Sequence, residues 1–555
     1  MMEKFLSQFH GLFCVLILLA AGQAYAAGQQ AVVQTTASTW DSAAHAVIGV
    51  NPTLGARDAN VDLFPTDTSD WIIRSYGQYF YLIGRYYTDS LTKFTIDAPE
   101  DPIYQVSVLP EGLASGNPHD MIFLNAGKAY MPMYETDKCW IVNPQDGTKT
   151  GEIDLSAYDD GDGIPEMHAG VIVDGKLFLL LQQLDRDNSW APYSASYVAV
   201  IDTATGQEID TNGDPLTPNG IVLNGANPQV IQYLPENNTI YIAATGKYPG
   251  SSIDSPMLYA GGIFTLDPDA YTVTKLIDDG PDGPDGSHPY GAFSGLAVVS
   301  PEKGYFVGYK GWGDNVFQAF NPTTGAVGDV VTGLEGKSLA GNETGAAMDE
   351  NGLVWLSSSG TDHTVFIIDP ADDSVEDQVD TNLNPGSIAF CPPTIWEGSN
   401  QINAATGTGN LSASSGIGTI ADITAYKTTD FPNAGDAPSL PFVDGLIGVT
   451  VEGVAAGSDV DVTITFPTPR QSDAVYYKLD AAGDFYAFPT DRITIVDNNT
   501  IILTLTDGGI GDTDGVANGT IVDPGGYAMT APEDPKSTGG DDDDDSGCFI
   551  RSLKF

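Results

Sequence analysis

One phrase recurs through the middle of the chain: a hydrophobic strand ending in Asp or Asn, a turn, then another strand. It occurs as Thr95-Ile96-Asp97, Ile141-Val142-Asn143-Pro144, Val200-Ile201-Asp202-Thr203, Phe264-Thr265-Leu266-Asp267-Pro268, Phe320-Asn321-Pro322 and Ile367-Ile368-Asp369-Pro370. The turn-opening positions 97, 143, 202, 267, 321 and 369 give steps of 46, 59, 65, 54 and 48. Alternating strands such as Thr239 to Ala244 and Leu353 to Leu356 lie within the steps, and no helical periodicity separates them. Strands repeating at a period above about 40 residues predict propeller blades, and a mean step of about 54 over 40–425 predicts about seven. The uneven steps imply loop insertions at 183–197, 211–220 and 247–260. The expected architecture is all-β: an about seven-bladed β-propeller over 27–430, a linker at 431–440, and a small β-sandwich at 441–534. The Ser- and Gly-rich stretch after 391 is expected to supply closing strands for the last blade.

The run Asn117-Pro118-His119-Asp120, Lys128-Ala129-Tyr130, Trp140-Ile141-Val142-Asn143 and Gly151-Glu152-Ile153-Asp154-Leu155 resembles the YVTN/YncE-like bacterial β-propellers across 70–390. That resemblance implies a fold and an extracytoplasmic setting, without an assigned reaction. From 448 onward alternation resumes in Val449-Thr450-Val451-Glu452, Val460 to Phe466, Val475-Tyr476-Tyr477-Lys478-Leu479, Ile493 to Val496 and Ile501 to Leu505. Five or more short strands in so few residues predict a sandwich. Its ending, Thr506-Asp507-Gly508-Gly509-Ile510-Gly511-Asp512-Thr513-Asp514-Gly515 with Asp523-Pro524-Gly525-Gly526, resembles the U-type choice-of-anchor domains of bacterial surface proteins. The resemblance implies a domain that precedes a sorting or attachment signal.

Residues 1–26 read as a secretory signal peptide: Lys4, the apolar run Leu12 to Ala21, and Ala24-Tyr25-Ala26, with cleavage after Ala26. The run is shorter than the roughly 20 residues of a membrane span, and no later stretch is long enough, so no transmembrane span is expected. Of the cysteines, Cys14 leaves with the signal, while Cys139 and Cys391 sit in strand-like apolar contexts that predict buried thiols. The tail 535–555 carries five consecutive Asp and then Cys548. An acidic run between glycines is a solvated spacer. Cys548 is read either as a processing residue for envelope attachment or as an incidental thiol at a ragged terminus. With 74 acidic against 22 basic residues the net charge is −52, which repels nucleic acid and anionic lipid and favours divalent cations. The protein is expected to be exported, to the cell surface, the medium or the periplasm.

Carboxylate clusters are the first candidate sites. Asp159, Asp160, Asp162 and Glu166 lie on a glycine-rich loop, and Asp507, Asp512, Asp514, Asn518 and Asp523 close the second domain. Clustered oxygens suit Ca²⁺, whereas Asp-Gly pairs also build tight turns; the balance favours turns at 159–166 and Ca²⁺ at 507–523. Repeat geometry supplies the second candidate. Blade-start residues ring one face of a propeller, here Asn117 and His119, Glu166 and His168, Asn227 and Gln229, His288 and Ser294, Glu343 and Thr344, and Asn384 and Ser387. Polar groups converging there form a ligand pocket, unless they only cap turns. The signatures G-x-S-x-G, H-E-x-x-H and C-x-x-C-H are absent from the sequence. The leading expectation is a non-enzymatic surface or secreted platform for an unknown ligand or protein partner, calcium-stabilised. The alternative is an extracellular propeller enzyme acting on carbohydrate or using a quinone cofactor.

Overall fold

A computed structural model of the chain describes residues 29–530 apart from short stretches, the longer of them 52–56, 249–256, 341–344 and 392–400. Ala26, Cys14 and Cys548 therefore lie outside the described residues. The repeated Asp or Asn sits where the third strand of a sheet turns into the fourth. Asp202 Oδ1 accepts the Ala204 N–H at 3.0 Å, Asp267 Oδ1 the Asp269 N–H at 2.9 Å, Asn321 Oδ1 the Thr323 N–H at 3.0 Å and Asp369 Oδ1 the Ala371 N–H at 2.8 Å. The backbone closes the same turn, with Asp202 N–H donating to Gln207 O and Gly206 N–H to Asp202 O. A short side chain that satisfies the N–H two residues on favours a turn over continued strand. That local chemistry sets the repeat.

Between the turns the chain forms four-stranded antiparallel sheets in succession. Trp71–Tyr76, Ile122–Asn125, Met167–Val173, Pro228–Leu234 and Ala292–Ser300 each begin one, and Ser338–Ala340 with Ala346–Met348 begins a following sheet of five strands. The strands Gln30–Thr36, Ala43–Gly49 and Ala59–Thr66 complete a further sheet with Asn384–Cys391, in a register that sets Ala31 opposite Phe390. Sequence-distant ends are thereby hydrogen-bonded together, in an all-β arrangement consistent with a propeller.

The second strand of a sheet is covered on both faces, which explains its unbroken apolar run. In Lys176–Leu181, Leu177, Leu179 and Leu181 join a core with Tyr130 and Ile153 of the preceding sheet. Phe178 and Leu180 join Ile240, Ile242 and Phe264 of the following one. Outermost strands such as Ser374–Asp380 keep an alternating, largely solvated pattern. Cys139 and Cys391 are buried thiols, as their strand contexts predict, and burial pushes both well up.

The C-terminal unit consists of two five-stranded antiparallel sheets. One holds Gln401–Asn403, Asn410–Ser415, Asp459–Thr465, Thr500–Thr506 and Ile493–Ile495; the other holds Thr419–Tyr426, Leu446–Glu452, Thr520–Ala528, Val475–Leu479 and Phe485–Ala487. Leu411, Val449, Val462, Leu503 and Ile521 share their core. One expectation is corrected here. Strands within 401–426 do not close the last sheet of the first unit, because Asn410–Ser415 pairs with Asp459–Thr465 and Thr419–Tyr426 with Leu446–Glu452. The closing strand is Asn384–Cys391. Among the described residues no helix is long and apolar enough to cross a membrane.

Candidate functional site

The strands that begin the sheets start with an unusual backbone. Asn117, Glu166 and Asn227 have φ of 50°, 47° and 57°. Their carbonyls accept the N–H of Tyr134, Gln182 and Thr245 from the neighbouring strand at 3.0, 3.1 and 3.0 Å. Asn tolerates the left-handed region, but Glu does so at a cost. Glu166 is compensated by contacts: its carboxylate accepts the Leu184 N–H and the Arg186 Nε–H, each at 3.0 Å.

Arg186 organises a cluster at this point. Its guanidinium also meets Glu135 Oε2 at 2.5 Å and lies over the rings of Tyr134 and Trp190, 5.5 and 4.9 Å from their centroids. Tyr134 donates its hydroxyl to Gln182 Oε1 and stacks on His119 at 3.9 Å. His119 Nδ1 in turn lies 2.9 Å from His168 Nδ1. Burial, then the charges of Arg85, His168 and Arg186, hold His119 well below the usual imidazole range. Burial pushes Glu166 up to about 7 against the pull of the Leu184 N–H and Arg186. Burial works against the Arg186 charge too, and the two carboxylates outweigh it.

A cavity of about 610 Å³ opens beside the starts of other strands. Ser294, Asn384 and Ser387 of the blade-start positions line it, together with Trp40, Tyr248, Tyr309 and Asn315. Ser387 Oγ accepts the Ile73 N–H at 2.9 Å, so it is already engaged. Asn315 Oδ1 and Asn384 Oδ1 are buried without a hydrogen-bond partner among the described residues, on residues only 4% exposed. Buried acceptors normally find donors, so two unmet ones on side chains of one cavity wall mark it as a place where donors are called for. Tyr248 and Tyr309 meet edge to face at 5.2 Å. Trp40, 55% exposed, is held by Ser69 Oγ donating to its carbonyl at 2.7 Å. The one carboxylate in the described lining, Asp70, is paired with Arg85 at 2.6 Å.

The anticipated ring is thus divided. Asn117, His119, Glu166 and His168 join the arginine cluster, while Asn227 Oδ1 accepts the Gln229 Nε2–H. His288 is engaged elsewhere, stacked on Tyr259 at 3.5 Å with Nδ1 3.1 Å from Asp279 O. Glu343 and Thr344 lie outside the described residues.

The acidic loops are engaged by backbone. Asp159 Oδ1 accepts the N–H of Gly161 and Gly163, and Asp162 Oδ1 that of Ile164; Asp160 lies outside the described residues. Asp507 accepts from Gly457 and Gly519, Asp512 from Gly508 and Val522, and Asp514 from Val516 and the Asn518 side chain. Asp523 is in direct contact with Lys478 instead. Among the described residues no three His, Cys, Asp or Glu side chains group as metal ligands would.

Sequence reasoning did not single out Trp40, Tyr134, Arg186 or Lys478. Only Lys478 left a signal, since strand alternation sets it on the same face as Tyr476.

No family model and no curated protein matches the chain. Solved structures similar to it include apo AztD from Citrobacter koseri, at 11% identity over 65% of this chain and 97% of that one, with a TM-score of 0.38. A protein from Lactobacillus plantarum follows at 13% identity over 65% and 99%, TM-score 0.45. Kluyveromyces lactis Hsv2 is similar at 9% identity over 75% and 96%, TM-score 0.31.

Proposed function

We propose that the chain is an exported, non-enzymatic binding protein whose first unit is a seven-bladed propeller and whose cavity takes a neutral, polyhydroxylated ligand of saccharide type. The blade count is supported by the succession of sheets whose first strands lie side by side, closed by pairing of Gln30–Thr36 with Asn384–Cys391. The observation that carries the ligand class is the pair of unmet carbonyl oxygens, Asn315 Oδ1 and Asn384 Oδ1, beside aromatic rings. Hydroxyl groups donate to such oxygens without bringing charge, and ring faces cover the apolar faces of a sugar. A binding role is favoured over glycoside hydrolysis because hydrolysis uses two carboxyl groups flanking the bond, and the described lining offers only Asp70.

Calorimetric titration with a panel of neutral oligosaccharides tests this reading. Heat of binding is expected for at least one member, lost in Asn384→Ala and Trp40→Ala, with no reducing ends released. Release of reducing ends would move the protein to the enzyme reading, and absence of binding across the panel would overturn the ligand class. Attachment through the C-terminus belongs to the same proposal, supported by the sequence of the anchor-type unit and tail. Replacing Cys548 with Ser is expected to shift the protein from the cell-surface fraction to the medium or periplasm, and an unchanged distribution refutes the role of Cys548.

A further inference from the structure

Lys478 occupies a position that strand alternation reserves for an apolar residue. It lies on Val475–Leu479 on the same face as Tyr476, directed into the core of the C-terminal unit. Asp523 lies on the adjacent strand Thr520–Ala528, in the core-facing set that includes Ile521 and Tyr527. The register pairs Lys478 with Gly525, two residues from Asp523. Gly525 keeps this diagonal open, because a Cβ there would lie 2.8 Å from the Tyr476 ring. Lys478 Nζ and Asp523 Oδ1 are consequently in direct contact, with side chains 0% and 1% exposed.

The surroundings are wrong for an ordinary ion pair. Apart from each other, neither Nζ nor the two carboxyl oxygens has a hydrogen-bond partner among the described residues. An ammonium offers three donors and a carboxylate about four acceptor sites, and a buried pair is stable only when the surplus is met. Around them lie Phe488, whose ring centroid is 4.9 Å from Nζ, and Tyr476, whose hydroxyl is itself buried without a hydrogen-bond partner among the described residues. Burial pushes the Lys478 amine down and the Asp523 carboxyl up, in each case against the pull of the other. Both groups are driven toward their neutral forms, an amine facing a carboxylic acid. A third carboxyl stands by. Asp512 acts electrostatically on both groups, its Oδ1 accepts the N–H of Val522, the residue before Asp523, at 3.1 Å, and a Cβ on the preceding Gly511 would lie 3.3 Å from Lys478 Nζ.

We propose that Lys478 and Asp523 join in an intramolecular isopeptide bond, formed by the folded unit itself with Asp512 as proton carrier. The neutral Lys478 Nζ attacks Asp523 Cγ, and the C–N bond forms as the carbonyl electrons move onto oxygen. Asp512 takes a proton from the nitrogen and returns it to the departing hydroxyl. The C–O bond breaks and one water leaves. No atom changes oxidation state and no co-reactant is consumed. The amide leaves one N–H and one C=O where an ion pair leaves several unmet groups, so it suits an apolar core. It also ties Val475–Leu479 to the last strand of the unit, covalently restricting the unfolded chain as a disulfide does.

Mass spectrometry of the purified full chain, with its N-terminus mapped, tests the proposal. The expected mass is one water below that of the sequence, and digestion is expected to yield one branched peptide joining the segments that carry Lys478 and Asp523. Lys478→Arg and Asp523→Ala are expected to restore the full mass. Because either variant is liable to unfold the unit, Asp512→Asn is the second variant, expected to keep the strand signal in circular dichroism while losing the branched peptide. A folded wild-type chain at its full sequence mass, with the two segments recovered as separate peptides, overturns the bond. A cross-link that forms undiminished in Asp512→Asn overturns the role of Asp512.

Discussion

His119 Nδ1 stands 2.9 Å from His168 Nδ1, a separation at which one nitrogen donates and the other accepts. The pair therefore holds one proton between the two rings, and a second would place cations in contact beside Arg186. Tyr134 covers one face of the His119 ring, stacked at 3.9 Å.

Acid is accordingly expected to destabilise the first unit. His119 is held well below 6.5 in the fold, whereas the unfolded chain takes its proton near 6.5. The unfolded state then binds more protons, so stability is full above that value and falls as the pH drops. His45 acts in the same direction, buried against Phe80 and Phe94 and lowered to about 4 by desolvation. At about 1.4 kcal/mol per pH unit, His45 alone removes about 3 kcal/mol by pH 4. Denaturant midpoints at pH 7.5 and pH 5.5 check this, with a smaller drop expected for His168→Gln. Equal drops in the two proteins refute the shared proton.

Glu166 works in the opposite direction. Its carboxyl rises from 4.5 to about 7 on folding, so its contribution is fully present below 4.5 and is lost as the pH rises toward 7. Glu166→Gln removes that dependence. The stability of the variant relative to wild type is expected to increase by about 3 kcal/mol between pH 4.5 and pH 8, on top of a pH-independent loss of the Arg186 contact. A flat difference would mean that Glu166 stays ionised throughout as the partner of Arg186.

The cavity asparagines give a separable effect. Asn384 Oδ1 has no partner among the described residues to lose, so Asn384→Ala is expected to change unfolding free energy by no more than about 1 kcal/mol. The same substitution is expected to weaken saccharide binding by about tenfold or more, equivalent to about 1.4 kcal/mol. Parallel denaturation and titration of one preparation check both. Loss of stability matching the loss of affinity would make Asn384 a structural residue only.

What was legible in the sequence was local. Asp202, Asp267, Asn321 and Asp369 announced their turns because the groups that satisfy them lie two residues away. Of the strand-start positions, Ser294, Asn384 and Ser387 line the cavity. His288 does not, because it lies four residues ahead of Ala292–Ser300, in a loop whose course follows Asp279 and Tyr259. Arg186 comes from the inserted hairpin Leu184–Asp185 and Ala191–Pro192, and its partners are 20 and 51 residues away. Nothing local encodes such a meeting. The strands at 401–426 read as closing strands of the propeller for the same reason, since nothing local in their Ser-, Thr- and Gly-rich sequence shows which partner strand covers them.

That misreading leads to a test of where the C-terminal unit begins. Leu411 and Ala413 are buried in its core with Val462 and Ile464, and Thr419–Tyr426 covers one side of Leu446–Glu452. Asp444 fastens the junction, accepting hydrogen bonds from the hydroxyls of Thr408 and Thr468 at 2.6 and 2.5 Å. Burial pushes the Asp444 carboxyl up while those hydroxyls oppose it, so removing Thr408 leaves a buried carboxyl short of a donor. A fragment spanning 441–530 would also expose the backbone edges of Leu446–Glu452 and Asp459–Thr465, each of which loses a neighbour. A fragment spanning 401–530 is therefore expected to melt cooperatively by circular dichroism, and the 441–530 fragment to show no cooperative transition. Equal melting of the two would mean that the strands at 401–426 are an appendage rather than part of the core.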